Sequence, residues 1–221
     1  MPQELLPSFA PIRSNIYRLL STGFRYPGHA VFRTFQNGKF LAELETNISL
    51  LPHLNIPGVE KALFINSLEG VAFSEFEMKF VQTFDTGSPL PSCPPYEGLY
   101  GHEPRTAVML EISEFYRHFG LKMNQGEGKR EFPDHISAEL EFLHFLTFQE
   151  AAAVKDKDQE LLKEYILAQR DFLERHVMRW IPRYCDELQS SVRVPFYVQL
   201  AKIASKFITR DFEWVNSNYQ I

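Results

Sequence analysis

Residues 134–153 read DHISAELEFLHFLTFQEAAA, and the spacing of their apolar side chains decides the fold class. Ile136, Leu140, Phe142, Leu143, Phe145, Leu146 and Phe148 recur at helical rather than alternating intervals. They cover most sides of the helix they predict, which marks it as central and buried. Pro133 disfavours helix at Phe132, so the helix is predicted to begin at or just after Asp134, with the Asp134 carboxylate as its N-cap.

The same periodicity continues on both sides. Towards the N-terminus, Ile12, Ile16, Leu19, Leu20 and Phe24 form one stripe, and Phe40, Leu44, Ile48 and Leu51 a second. Val59, Leu63, Phe64 and Leu68 form a third. Ser74 and Glu77 have the spacing of a capping box, opening a helix that carries Phe73, Phe76, Phe80, Val81 and Phe84. Helix resumes near Pro104, with Val108, Ile112, Phe115 and Phe119 on one face and Gly120 as its stop. Residues 123–131 are a polar, glycine-containing loop. After the charged turn 155–158, Leu162, Tyr165, Ile166, Gln169, Phe172 and Leu173 mark a long helix, which Pro182 is expected to interrupt. Leu200, Ile203, Ala204, Phe207 and Ile208 mark the last one. No strand of period two is found. The prediction is an all-α fold: one globular bundle of about nine or ten helices, a single domain over 1–221.

One segment breaks the pattern. Residues 85–103, DTGSPLPSCPPYEGLYGHE, carry prolines at 89, 91, 94 and 95, which forbid helix and disfavour a central strand. A connection this long in a compact domain is uncommon and often functional.

Composition narrows the function classes. A chain of 221 residues can bury roughly 70–75% of its unfolded surface and needs no staples. Cys93 and Cys185 are too far apart in sequence to suggest a disulfide framework or a zinc pattern, which fits a reducing compartment. The N-terminal MPQELLPSFAPIRSN, interrupted by Pro7 and Pro11, is not a signal peptide, and no apolar run approaches the ~20 residues of a membrane span. A cytoplasmic location is expected, with no stable membrane insertion. The formal charge of −5 argues against a nucleic-acid partner and suits a basic peptide. Most of the 20 phenylalanines are expected in the core.

Signatures of catalysis are missing. There is no glycine-rich phosphate loop, Cys-x-x-Cys, His-Glu-x-x-His or Gly-x-Ser-x-Gly. The best metal candidate is His135 with Glu139, four apart on one helix face, but no Glu-x-x-His unit accompanies it. His144 and His176 read as hydrogen-bonded structural histidines. Neither metal nor cofactor is expected. A helical-bundle metalloenzyme built on His135 and Glu139, or a structural adaptor subunit, are the alternatives to a polypeptide-binding protein.

Three stretches resemble the TorD/DmsD/NarJ family of molybdoenzyme maturation chaperones. Phe80-Val-Gln-Thr-Phe84, followed by Pro94-Pro95-Tyr96-Glu97-Gly98-Leu99-Tyr100, is similar to the family's aromatic helix end and Pro-Pro-aromatic loop. Thr83 stands where the family often has Leu, and Gly98 where it often has Ser. Phe132-Pro133-Asp134-His135 is similar to the family's Pro-x-Asp-His helix start. Phe172-Leu173-x-x-His176-x-x-x-Trp180-x-Pro182, continuing to Pro195-Phe196-Tyr197, also resembles family members. The resemblance covers about residues 70–212. It implies a chaperone without catalytic turnover, monomer or homodimer. Its client would be the catalytic subunit of a molybdopterin oxidoreductase, held through a twin-arginine leader or as the apo form. It also implies a hinge near 120–134 between two helical halves. A guanine nucleotide, linked to some relatives, finds no phosphate motif here. On this reading Pro94, Pro95, Tyr96 and Tyr100 pack beside Phe80 and Phe84 as one wall of a client groove. Asp134 and Glu139 supply its acidic end, and His135 orients it.

Overall fold

The computed structural model describes residues 9–51, 54, 61–86, 91–123, 131–191 and 194–218. Pro7, Pro89, Val59, the Leu63 side chain and residues 124–130, the middle of the expected 123–131 loop and of the hinge near 120–134, lie outside the described residues. Among the described residues the chain is helical, with ten α-helices. These are α1 (Ala10–Phe24), α2 (His29–Gln36), α3 (Lys39–Ser49), α4 (Lys61–Asn66), α5 (Phe73–Phe80) and α6 (Arg105–His118), then α7 (Ile136–Asp156), α8 (Gln159–Phe172), α9 (Met178–Ser191) and α10 (Pro195–Asn218). A π turn, Val81–Asp85, prolongs α5, and another, Leu173–Val177, joins α8 to α9. The only strand-like feature among the described residues is an isolated antiparallel bridge between Tyr96 and His135. No helix among them is long and apolar enough to cross a membrane.

The central helix is where the periodicity places it. Ile136, Leu140, Leu143 and Leu146 in α7 are fully buried, and α7 packs along α1 and α8. Gly120 ends α6 as expected, with φ +73° and the paired bonds Leu121 N–H to Tyr116 O (2.9 Å) and Gly120 N–H to Arg117 O (3.0 Å). Only the 6→1 and 5→2 bonds around a left-handed residue satisfy the last carbonyls this way, and glycine adopts that φ without a Cβ clash.

Three local expectations are corrected. The Ser74–Glu77 capping box does not form: α5 begins at Phe73 after Ala72, with no side-chain cap. Pro182 does not interrupt a helix but sits inside α9. The residue lacks an N–H and its ring crowds the preceding turn, so the local strain has to be absorbed nearby, and the widened π turn Leu173–Val177 lies just upstream. Asp134 is not the N-cap of α7. That position is His135, whose ring nitrogen accepts the Ser137 N–H at 3.2 Å.

The phenylalanines assemble into aromatic blocks. Phe196, at the start of α10, meets Phe35 and Phe64 at 4.6 Å each and Phe76 at 5.7 Å, tying α2, α4 and α5 to α10. Phe142 of α7 meets Tyr116 and Phe172 at 4.8 Å each, tying α6 and α8 to the central helix.

A buried charge cluster joins the layers. Arg13 of α1 is 1% exposed. Its guanidinium donates to both oxygens of Asp211 (2.5 and 3.0 Å), to Glu150 Oε2 (2.8 Å) and to Gln169 Oε1 (2.7 Å). Tyr17 donates to Asp211 at 2.7 Å. Burial by itself would lower the Arg13 pKa, but Asp211 and Glu150 outweigh it and raise it. The forked guanidinium satisfies three helices at once, a geometry an ammonium cannot reproduce.

Removing Arg13 strands two buried carboxylates. Arg13→Leu is expected to lower unfolding free energy by about 3–5 kcal/mol, and Arg13→Lys to recover less than half of the loss. Urea denaturation followed by far-UV circular dichroism measures both; a loss below about 1 kcal/mol for Arg13→Leu would show that the cluster is not what joins the helices.

Candidate functional site

The proline-rich segment meets the start of α7. Proline has no N–H to give, so the segment docks through carbonyls and the few amides it retains. Pro95 O accepts the Ile136 N–H at 3.0 Å, and the Glu97 N–H donates to Asp134 O at 2.9 Å. The Tyr100 hydroxyl donates to Pro94 O at 3.0 Å, and the Cys93 N–H to Thr83 O at 3.1 Å. A 3-10 turn, Glu97–Leu99, then leads the chain to α6.

The residues expected to form one groove wall occupy separate surroundings. Phe80 and Phe84 are buried against Tyr197, with ring centroids 5.8 and 4.9 Å away. Tyr100 packs on Trp180 and Tyr184 (5.4 and 5.9 Å), and Tyr96 on His135 and Phe132 (5.1 and 6.0 Å). Among the described residues, the Cys93 N–H to Thr83 O bond ties the proline-rich segment to the end of the Phe80–Phe84 stretch.

Asp134, His135 and Glu139 sit together in sequence but act in three directions. The Asp134 carboxylate is fully buried and takes a forked pair of bonds from Arg105, Nε to Oδ2 at 2.7 Å and Nη2 to Oδ1 at 3.1 Å. The Arg105 guanidinium lies 4.3 Å from the Tyr96 ring centre and 4.9 Å from that of Phe132. His135 Nδ1 accepts from the Ser137 amide, and the Ser137 hydroxyl donates to Glu131 at 2.6 Å. Burial first, then the Arg25 and Arg105 charges, push the His135 pKa from 6.5 down to about 3, so the ring caps α7 in its neutral form.

Glu139 points inward. It is fully buried and its Oε2 accepts the Trp180 indole N–H at 3.0 Å. Burial, and then the nearby Glu97 carboxylate, hold Glu139 well above the usual carboxylate range. Its Oε1 has no hydrogen-bond partner among the described residues. Burial beside Glu97 thus favours the protonated, neutral form of Glu139. Glu97 in turn faces His176 Nδ1 at 3.1 Å from both oxygens. His176 Nε2 lies 3.8 Å from Glu111 Oε1, beside a cavity of about 260 Å³ lined also by Arg175, Arg179 and Trp180. His144 Nδ1 lies 2.7 Å from Ser14 Oγ and 3.0 Å from its carbonyl oxygen. Both histidines are thus hydrogen-bonded, as the sequence suggested.

His135 and Glu139 consequently do not converge on one point. No group of three or more His, Cys, Asp or Glu side chains among the described residues is arranged to hold a metal. Sequence reasoning missed Arg105, and it named Glu97, His176 and Trp180 without the partners the structure gives them. Their partners lie 29 to 79 positions away, beyond any helical spacing rule.

Comparison with known proteins places this geometry. The sequence profile described as nitrate reductase delta subunit matches residues 53–186. The chain is 33% identical to a perchlorate reductase assembly chaperone protein of Dechloromonas aromatica (strain RCB), over 91% of this chain and 88% of that one. It is 37% identical to a chlorate reductase assembly chaperone protein of Ideonella dechloratans, over 52% of this chain and 58% of that one. It is 25% identical to the chaperone protein TorD of Vibrio parahaemolyticus, over 78% of each. A crystal structure assigned to a redox enzyme maturation protein of Archaeoglobus fulgidus superposes with a TM-score of 0.50 at 19% identity. It covers 89% of this chain and 93% of that one, and shows the same fold.

Two buried ionisable groups at the start of α7, His135 and Glu139, have opposite pH signatures. The unfolded chain protonates His135 below about pH 6.5, whereas the folded chain does so only near 3, so this contribution to stability is present above 6.5 and is lost as pH falls towards 3. Its slope reaches about 1.4 kcal/mol per pH unit. His135→Asn, which keeps a cap, should remove that slope from pH-dependent denaturation curves; an unchanged slope would mean that the ring is charged in the folded chain. Glu139 costs stability as pH rises above its ordinary value of 4.5, because folding keeps it protonated. Glu139→Gln should therefore equal or exceed the unmodified chain in thermal stability at pH 8, while Glu139→Leu, which leaves the Trp180 indole unpaired, should fall below it.

Proposed function

The chain belongs to the nitrate reductase delta subunit family, and from that premise we propose that it is an assembly chaperone, not an enzyme, for the catalytic subunit of a molybdenum-containing iron–sulfur oxidoreductase. It acts in the cytoplasm. It holds the client's leader peptide or its apo form while the cofactor is inserted, before export or assembly. The relatives named for perchlorate and chlorate reductases suggest that the client is a reductase.

The observation that carries the reading is the surrounding of Asp134. A carboxylate withdrawn from water, with aromatic rings at its side, binds a planar guanidinium better than any other cation. A twin-arginine leader offers that group next to an apolar run. Phe132, 48% exposed at the edge of this site, offers apolar surface alongside it. The net charge of −5 favours encounter with a basic peptide. Glu139, fully buried and neutral, is better suited to holding Trp180, Glu97 and His176 in place than to meeting a charge. The acidic end of the site is thus assigned to Asp134, with His135 setting the position of the α7 start and Glu139 acting behind it.

Calorimetric titration with a synthetic twin-arginine leader tests this. Binding should weaken at least tenfold in Asp134→Asn, and it should weaken in the unmodified chain when salt is raised from 50 to 500 mM or so. If the folded, unmodified chain binds no leader at submillimolar concentration, the adaptor alternative is favoured instead.

A further inference from the structure

The Asp134 site is not vacant in the structure: a guanidinium already fills it, and it belongs to the chain itself. We infer that Arg105 is a built-in stand-in for an arginine side chain of the client, which must displace it to reach Asp134. This rests on the reading of Asp134 as the client-binding carboxylate.

Arg105 is poorly placed for the helix that carries it. It is the first residue of α6, where the exposed amides make a cation unfavourable, and α6 has no acidic residue in its first turn. What holds it is the site. The fork to Asp134 and the faces of Tyr96 and Phe132 surround the guanidinium. The backbone is shaped to let the side chain through. A Cβ on Gly98 would lie 2.5 Å from Arg105 Cγ and 2.9 Å from its Cα and Cβ, so the Arg105 stem passes where only glycine leaves room. The side chain nevertheless remains 29% exposed, whereas Asp134 is fully buried. The guanidinium can swing towards solvent without unpacking a core residue; the carboxylate cannot.

Self-occupancy has two consequences. An unpaired Asp134 carboxylate in this buried place would be costly, so an internal cation keeps the free chaperone stable. A client then binds only as tightly as its competition with Arg105 allows, because the competent state is a fraction of the population. An ammonium, lacking the fork and the flat face, competes poorly with a guanidinium. The arrangement therefore rejects lysine-bearing segments and admits arginine-bearing ones.

The test weakens the competitor and leaves Asp134 in place. Arg105→Gln should bind a twin-arginine leader at least tenfold more tightly than the unmodified chain. Millimolar L-arginine amide should raise its melting temperature by several degrees, lysine amide should not, and the unmodified chain should respond to neither. Arg105→Lys keeps a cation on Asp134 and so retains the fold if Arg105→Gln does not; it should still bind the leader at least threefold more tightly. Leader affinity that is unchanged or weaker in a folded Arg105 variant, with no response to arginine amide, would overturn the inference while leaving leader binding itself intact. A response to arginine amide in a chain that binds no leader would uphold the guanidinium site and instead remove the proposed client.

Discussion

A single buried cation constrains the whole bundle. Arg13 has almost no contact with water, and its charge is tolerable only because Asp211, Glu150 and Gln169 converge on it from α10, α7 and α8. Hydrophobic contact between helices tolerates small slides; a forked guanidinium bond of 2.5–3.0 Å does not. The cluster thus sets the register of α7 against α1. Glu150 lies 14 residues from the first residue of α7, about 20 Å along the helix at 1.5 Å per residue. Fixing one end of so long a rod fixes the other, and the other end carries Asp134, His135 and Glu139.

At that end, three carboxyl groups near one another take different states because their surroundings differ. Asp134 is paired with a guanidinium and serves as an anion. Glu139 is buried beside another carboxylate and serves as a neutral acid. Glu97 lies near Glu139 and faces the His176 ring. Glu139, Trp180, Glu97 and His176 form a polar bracket that joins α7, the 3-10 turn and the π turn before α9. This bracket gives the proline-rich segment a firm base, so that Tyr96 and Gly98 can hold Arg105 against Asp134. A chaperone needs such a surface: rigid beneath and exchangeable at one side chain.

The helices were legible in the sequence because their cause is local. The period of Ile136, Leu140 and Leu143 reports burial on α7, and Gly120 reports a left-handed residue. Asp134 was picked out as important from its place after Pro133, but its partner was not. Capping chemistry lies within a few residues and can be read; an Arg105 to Asp134 pair spans 29 positions and depends on the path of a proline-rich segment. Arg13 went unnoticed for the same reason, its partners being 137 to 198 residues away. Pro182 misled because proline was weighed by its own preference, whereas α9 accommodates it next to a π turn. The ring partners of Phe80, Phe84, Tyr96 and Tyr100 were not legible, because shared aromatic character does not specify which ring meets which.

The central claim is that an arginine from outside replaces one from inside on the same carboxylate. The Arg105 Nε–H, bonded to Asp134 at 2.7 Å, is a direct reporter of it, with the buried Arg13 Nε–H as an internal control. In a nitrogen–proton correlation spectrum of the unmodified chain, both should give resolved, slowly exchanging signals. On saturation with a twin-arginine leader, the Arg105 signal should move to the position and fast solvent exchange of a free arginine, a leader guanidinium should take on the slow exchange of a bonded one, and Arg13 should stay unchanged. An Arg105 signal that keeps its position and slow exchange at saturation would contradict the account.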